Sequence, residues 1–130
     1  MLSERLIRRL LKICEANYDR VNRRHRHFSF ICQRSKILAC GFAQKSKTHT
    51  KAERWFRFNS IHSEFDALRQ ARTMDLTGCY LVNIRVLLNG RLSLSRPCKC
   101  CARMLTELGV RDIYYSRSDG SFGHMRIGQG

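Results

Sequence analysis

Apolar, β-favouring runs alternate along this chain with amphipathic helical stretches, and that alternation most limits the folds open to it. Leu2, Leu6, Leu10 and Ile13 recur at helical spacing, and Ile7, Leu11 and Cys14 widen the stripe. Glu4, Arg5, Arg8, Arg9, Lys12 and Glu15 lie opposite. Such a stripe predicts a helix docked on a core. A basic helix lying on a membrane would share the pattern, but docking is the better reading for a small domain. Phe28–Cys32 and Lys36–Phe42 predict two strands joined near Arg34 and Ser35. Ile37, Leu38, Ala39 and Cys40 are continuously apolar, which predicts burial of the second strand on both faces.

A helix is predicted from about His62 to Thr73, with Phe65, Leu68 and Arg72 on successive turns. Cys79–Leu88 reads as a strand, Asn89-Gly90 as a hairpin turn, and Arg91–Leu94 as a short return. Pro97 stands where proline opens a helix, which runs to Leu108 and stops at Gly109. Val110–Ser116 and Phe122–Ile127 predict two further strands around a turn at Asp119-Gly120. The order implies a layered α/β domain. With 130 residues, one domain is expected: an N-terminal helix and basic connection over 1–26, and a core over 27–130.

The formal net charge is +15. Residues 1–60 carry 15 basic and 4 acidic residues, and residues 61–130 carry 10 and 6. A field of that sign attracts polyanions, with nucleic acid first. An anionic membrane or an acidic protein comes second. Seven cysteines cannot all pair, and Cys98, Cys100 and Cys101 are crowded, so a reducing intracellular compartment is expected, cytoplasmic or viral within a host cell. Arg5, Arg8, Arg9 and Lys12 interrupt the N-terminal helix, so no signal peptide is expected. No apolar run suits a membrane span.

Two short segments carry chemistry. Ile61-His62-Ser63-Glu64 and Pro97-Cys98-Lys99-Cys100-Cys101 each stand at a predicted helix start. Together they spell H-x-E followed by P-C-x-x-C, a signature of zinc nucleobase deaminases. Cys98 and Cys101 share one helical face, and the positive helix end favours their thiolates. His62, Cys98 and Cys101 would give zinc three ligands and leave one position open for a water made acidic by the metal. Glu64 could take that water's proton and pass it on. Either half alone also fits blander readings, such as a structural zinc knuckle or a redox pair. A structural site would need a fourth ligand such as Cys100, Cys79 or His49, and Cys100 points away on a regular helix.

On these residues the chain resembles the cytidine deaminase-like superfamily, from about Phe28 to Ile127. The best stretches are Ile61–Leu68 and Ser95–Cys101, and Tyr114-Tyr115-Ser116 resembles the family's fourth strand. The resemblance implies a three-layer α/β/α sandwich with a mixed five-stranded sheet and zinc between two helix N-termini. Only Arg117–Ser121 separates the last two strands, so a hairpin is expected and strands four and five should be antiparallel. That topology resembles the branch holding free-nucleoside cytidine deaminases and several deaminase toxins, which implies cytosine rather than adenine. Where family members carry a sugar-contacting Asn after Gly-x, this chain has Ala43 and then Gln44 after Gly41-Phe42. No glutamate lies between Gly41 and Ala52.

The expected activity is therefore hydrolytic conversion of cytosine to uracil, most readily in single-stranded DNA or RNA. Arg23, Arg24, Arg26, Lys45 and Lys47 are candidate phosphate contacts, and Trp55 a candidate stacking platform. Ala43, Gln44 and Ser95 are candidate substrate contacts. The alternatives are a free cytidine or deoxycytidine deaminase, and a catalytically silent deaminase-fold protein in a nucleic-acid assembly. An oligomer is compatible with all three. Cys14, Cys32, Cys40 and Cys79 read as core, and His124 as a surface residue.

Overall fold

The computed structural model describes residues 2–21, 26–45, 60–73 and 75–128. Helix α1 (Glu4–Ala16) and a 3-10 turn (Tyr18–Arg20) precede β1 (His27–Gln33) and β2 (Lys36–Phe42). β3 (Gln44–Lys45) and β4 (Ser60–Ile61) lead into α2 (Ser63–Ala71). Then come β5 (Tyr80–Val86), β6 (Leu92–Ser93), α3 (Lys99–Glu107), β7 (Asp112–Ser116) and β8 (Phe122–Arg126).

The main sheet runs β2-β1-β5-β7-β8, and β6 adds two residues beside the end of β5. β5 and β7 are parallel, and every other pairing is antiparallel. The mixed sheet and the antiparallel final pair thus match expectation, with β6 as an additional short strand. β3 and β4 form a separate ribbon.

Strand alternation sorts side chains onto two faces. Phe28, Phe30, Cys32, Val82, Ile84 and Val86 face α1 and meet Leu6, Leu10 and Cys14. Ile31, Leu81 and Ile113 face the other way and meet Phe65, Leu68, Met104 and Leu105 of α2 and α3. Three layers result. Ser3 starts α1 by accepting the Leu6 amide on Oγ at 3.1 Å, a cap worth about 1 kcal/mol.

Three local expectations need correction. β2 is not buried on both faces: Lys36 and Leu38 are exposed, and Leu38 keeps 42% of its surface. It is an edge strand with β1 as its only ladder partner among the described residues. The doubly buried strands are β1 and β5. Both metal-motif helices begin after the residues expected to open them. His62 and Cys98 are N-caps with extended backbones, at φ −72°, ψ 151° and φ −69°, ψ 166°. Pro97 therefore precedes the cap of α3. Arg72 is exposed and ends α2 in the left-handed region, at φ +56°.

Two details fix the frame. A Cβ on Gly41 would lie 2.1 Å from the Ala67 amide nitrogen and 2.4 Å from the Ser63 carbonyl oxygen. Only glycine lets β2 pass so close to α2. The Asp66 carboxylate clips the same contact by accepting the Phe42 amide at 2.9 Å. Two turns follow the parallel strands on one plan. Leu87 N donates to Arg91 O at 2.8 Å, Gly90 N donates to Leu87 O at 2.9 Å, and Asn89 Oδ1 accepts from Arg91 N at 3.0 Å. Arg117 N to Ser121 O at 2.9 Å, Gly120 N to Arg117 O at 3.0 Å, and Ser121 N to Asp119 Oδ1 at 2.9 Å repeat it. Gly90 and Gly120 take the positive φ that three-residue hairpin loops need.

Candidate metal centre and its surroundings

The two N-caps face each other. His62 makes no side-chain cap bond, so its ring is not spent on its own helix. Its Nδ1 lies 3.3 Å from Cys101 Sγ and 3.6 Å from Cys98 Sγ. The three ligand atoms lie within 4.8 Å of one another, and this is the only such His/Cys/Asp/Glu cluster among the described residues. Tetrahedral bonds of zinc length would place neighbouring ligands about 3.5–3.8 Å apart. The nitrogen-to-sulfur spacings fit zinc with little movement, and two sulfurs with one imidazole suit it chemically.

The two sulfurs differ in environment. Cys98 is exposed and accepts the Cys101 amide at 3.4 Å. Its thiol is pulled down to about 4, mainly by the Cys101 thiol hydrogen bond and further by His62. Cys101 is buried, and burial together with its bond to Cys98 holds its thiol well above the ordinary value. His62 is raised, chiefly by the hydrogen bond to Cys98. Cys101 therefore holds a proton more tightly than Cys98 does.

Glu64 is 6% exposed and lies close enough to act on Cys101 and His62. Ser63 Oγ donates to its Oε1 at 3.2 Å, and Asn83 Nδ2 donates to its Oε2 at 3.0 Å. Asn83 Nδ2 also donates to Ser95 O at 3.1 Å, and Asn83 Oδ1 accepts from Ser29 Oγ at 2.6 Å. Ser29 and Ser63 hydroxyls meet at 2.7 Å. The carboxylate is thus aimed by a buried network spanning β1, β5 and α2. Sequence reading gave Ser29, Ser63 and Asn83 no role. The available signal was a polar residue inside an apolar run: Asn83 between Val82 and Ile84, and Ser29 between Phe28 and Phe30. A buried amide or hydroxyl must find partners there.

The candidate substrate contacts are placed unevenly. Ser95 is buried, and its hydroxyl donates to Asn83 O at 2.8 Å and accepts the Ser116 amide at 2.8 Å. It ties β5 to β7 rather than lining an open surface. Ala43 is half-buried and bonds back to His27 O at 3.2 Å. Gln44 and Lys45 pair with Ile61 and Ser60. Arg26 stacks on Tyr18, with Cζ 4.3 Å from the ring centroid. Arg23, Arg24, Lys47, His49 and Trp55 lie outside the described residues. All seven cysteines are free thiols, and Cys14, Cys32, Cys40 and Cys79 pack with the core as expected. Cys100 also leans on the core, away from the cluster. His124 is exposed, stacks on Tyr114 and bonds to Asp112. Among the described residues, no helix is long and apolar enough to cross a membrane.

Comparison with known proteins gives concordant findings. The dCMP deaminase of cyanophage S-TIM5 in apo form superposes with a TM-score of 0.60 at 22% identity, covering 92% of this chain and 89% of that one. The same phage enzyme in complex with dCMP and dUMP superposes at 0.59 with 19% identity, over 92% and 90%. At such identity the likeness shows the fold. No curated protein matches. A family model of the cytidine and deoxycytidylate deaminase zinc-binding region matches residues 3–117. The chain therefore belongs to the cytidine and deoxycytidylate deaminase family, whose matched region is the zinc-binding one.

Proposed function

We propose that this chain is a zinc-dependent hydrolase that converts cytosine to uracil, with His62, Cys98 and Cys101 as metal ligands and Glu64 as the catalytic residue. The observation that carries the reading is the His62–Cys98–Cys101 cluster with the buried Glu64 carboxylate beside it. Zinc held there supplies the Lewis acidity that makes water nucleophilic near neutral pH. Asn83 and Ser63 hold Glu64 in one orientation, and its remaining lone pairs can take a proton. Water adds to the carbon bearing the amino group. Glu64 takes the water's proton, gives it to the ring nitrogen, and moves a second proton to the departing amine. Cytosine and water become uracil and ammonia.

The net charge supports single-stranded nucleic acid as the substrate. A cytosine mononucleotide is the second reading, favoured by the fold shared with an enzyme described in complex with dCMP and dUMP. A reducing compartment, cytoplasmic or within an infected cell, fits the free thiols. The test is ammonia release from deoxycytidine, dCMP and a single-stranded oligonucleotide by the native chain and Glu64→Gln. Loss of about 10²–10⁴-fold with zinc retained is expected. Equal turnover by the variant removes Glu64 from the mechanism.

A further inference from the structure

Two arginines pack against one ring near the candidate centre. The Cζ atoms of Arg96 and Arg117 each lie 5.6 Å from the Tyr115 ring centroid. That ring is held from below. A Cβ on Gly123 would fall within 2.6 Å of Tyr115 Cζ, Cε2 and Oη, so only glycine opposite leaves it room. Their roots are joined through the backbone: Ser95 N donates to Ser116 O at 3.1 Å, Ser116 N donates to Ser95 Oγ at 2.8 Å, and each arginine is the next residue along the chain. The turn bond from Arg117 N to Ser121 O fixes the second root. The position adjoins the centre: Ser95 O accepts from the same Asn83 amide group that holds Glu64, and Cys98 follows Arg96 by two residues.

Two like charges on one ring need a reason. Both arginines are exposed, and among the described residues neither forms an ion pair. Asp119 senses Arg117, but its Oδ1 is engaged by the Ser121 amide and hydroxyl. An aromatic face gathers the guanidiniums without neutralising them, leaving forked donors suited to phosphate. We propose that Arg96 and Arg117 form a phosphate clamp that takes the phosphate attached to the cytosine being deaminated. The proposal rests on the cytosine deaminase reading above. The chemistry is common to a mononucleotide monoester and a strand phosphodiester.

The experiment compares deoxycytidine, dCMP and a short oligothymidylate with one central deoxycytidine as substrates, by kcat/KM. The native chain should prefer phosphate-bearing substrates. Arg96→Gln and Arg117→Gln should each cut that preference about tenfold. Arg103→Gln, which removes an exposed charge from the body of α3, should keep it. Preference for dCMP assigns the clamp to a monoester, and preference confined to the oligonucleotide assigns it to a backbone phosphate. An unchanged preference in both clamp variants, an equal fall in Arg103→Gln, or an equal loss on deoxycytidine overturns the clamp. Calorimetric binding of the same three ligands to Glu64→Gln, with and without the clamp substitutions, separates the two readings. A chain that turns over none of the three loses its deaminase assignment. The clamp then stands if phosphate tightens binding through Arg96 and Arg117, and falls if it does not.

Discussion

Cys98 and Cys101 occupy equivalent-looking places in the motif, yet the fold gives them opposite proton affinities. Cys98 sits low, at about 4, because the Cys101 thiol and His62 both donate toward its sulfur. Cys101 sits high because it is buried. Above pH 5, Cys98 is already a thiolate and adds nothing to the pH dependence of metal uptake. Cys101 holds its proton through neutrality and must release it before binding zinc, and His62, also raised, releases what it carries. Uptake therefore expels protons and strengthens as pH rises. Between pH 6 and 8 the zinc association constant should climb at least about tenfold per pH unit. Competition titrations against a chelator check this, and a flat profile would show that Cys101 is not the proton carrier. The clustering of His62, Cys98 and Cys101 was legible because motif spacing is itself chemical information. Ser29 and Asn83 were not, because their meaning depends on which strands become neighbours.

The contact between β2 and α2 sets where His62 stands. Gly41→Ala would drive a methyl into the Ala67 amide and the Ser63 carbonyl. A shift of α2 away from the sheet would carry His62 off the two sulfurs. We expect about 1–3 kcal/mol of destabilisation together with weaker zinc binding. Gly120→Ala serves as the comparison: it has positive φ but nothing within 4 Å. It should cost about 1 kcal/mol and leave zinc affinity alone. Thermal melts and metal titrations on both variants read the difference, and equal zinc loss in the two would sink the idea. At this scale, element order and both turns were readable, since periodicity and Asx-Gly pairs are local signals. The burial of β2 was misjudged because an apolar run reports hydrophobicity and says nothing of a strand's place in the sheet. The helix starts were set early because a capping residue reads as helical in sequence while its backbone is still extended.

Among the described residues, one group of positive charge lies on the far side of the sheet from the candidate centre. Arg5, Arg8, Arg9 and Lys12 are exposed on α1, across the sheet from α2 and α3. If that field gathers single strands, oligonucleotide binding by Glu64→Gln should weaken steeply as salt rises, with a logarithmic slope of about −0.7 per phosphate contacted. Turnover of deoxycytidine should barely respond. A salt-insensitive oligonucleotide affinity would remove polyanion attraction from the account. The paired turns at Leu87–Arg91 and Arg117–Ser121 bear on how such a scaffold diversifies. Main-chain bonds, one Asx oxygen and one glycine fix each path, so the apex side chains Leu88 and Ser118 can change without disturbing the strands below. Each loop is thus a self-braced tip, where a new apex side chain alters the outer surface while the strands that carry the centre keep their places.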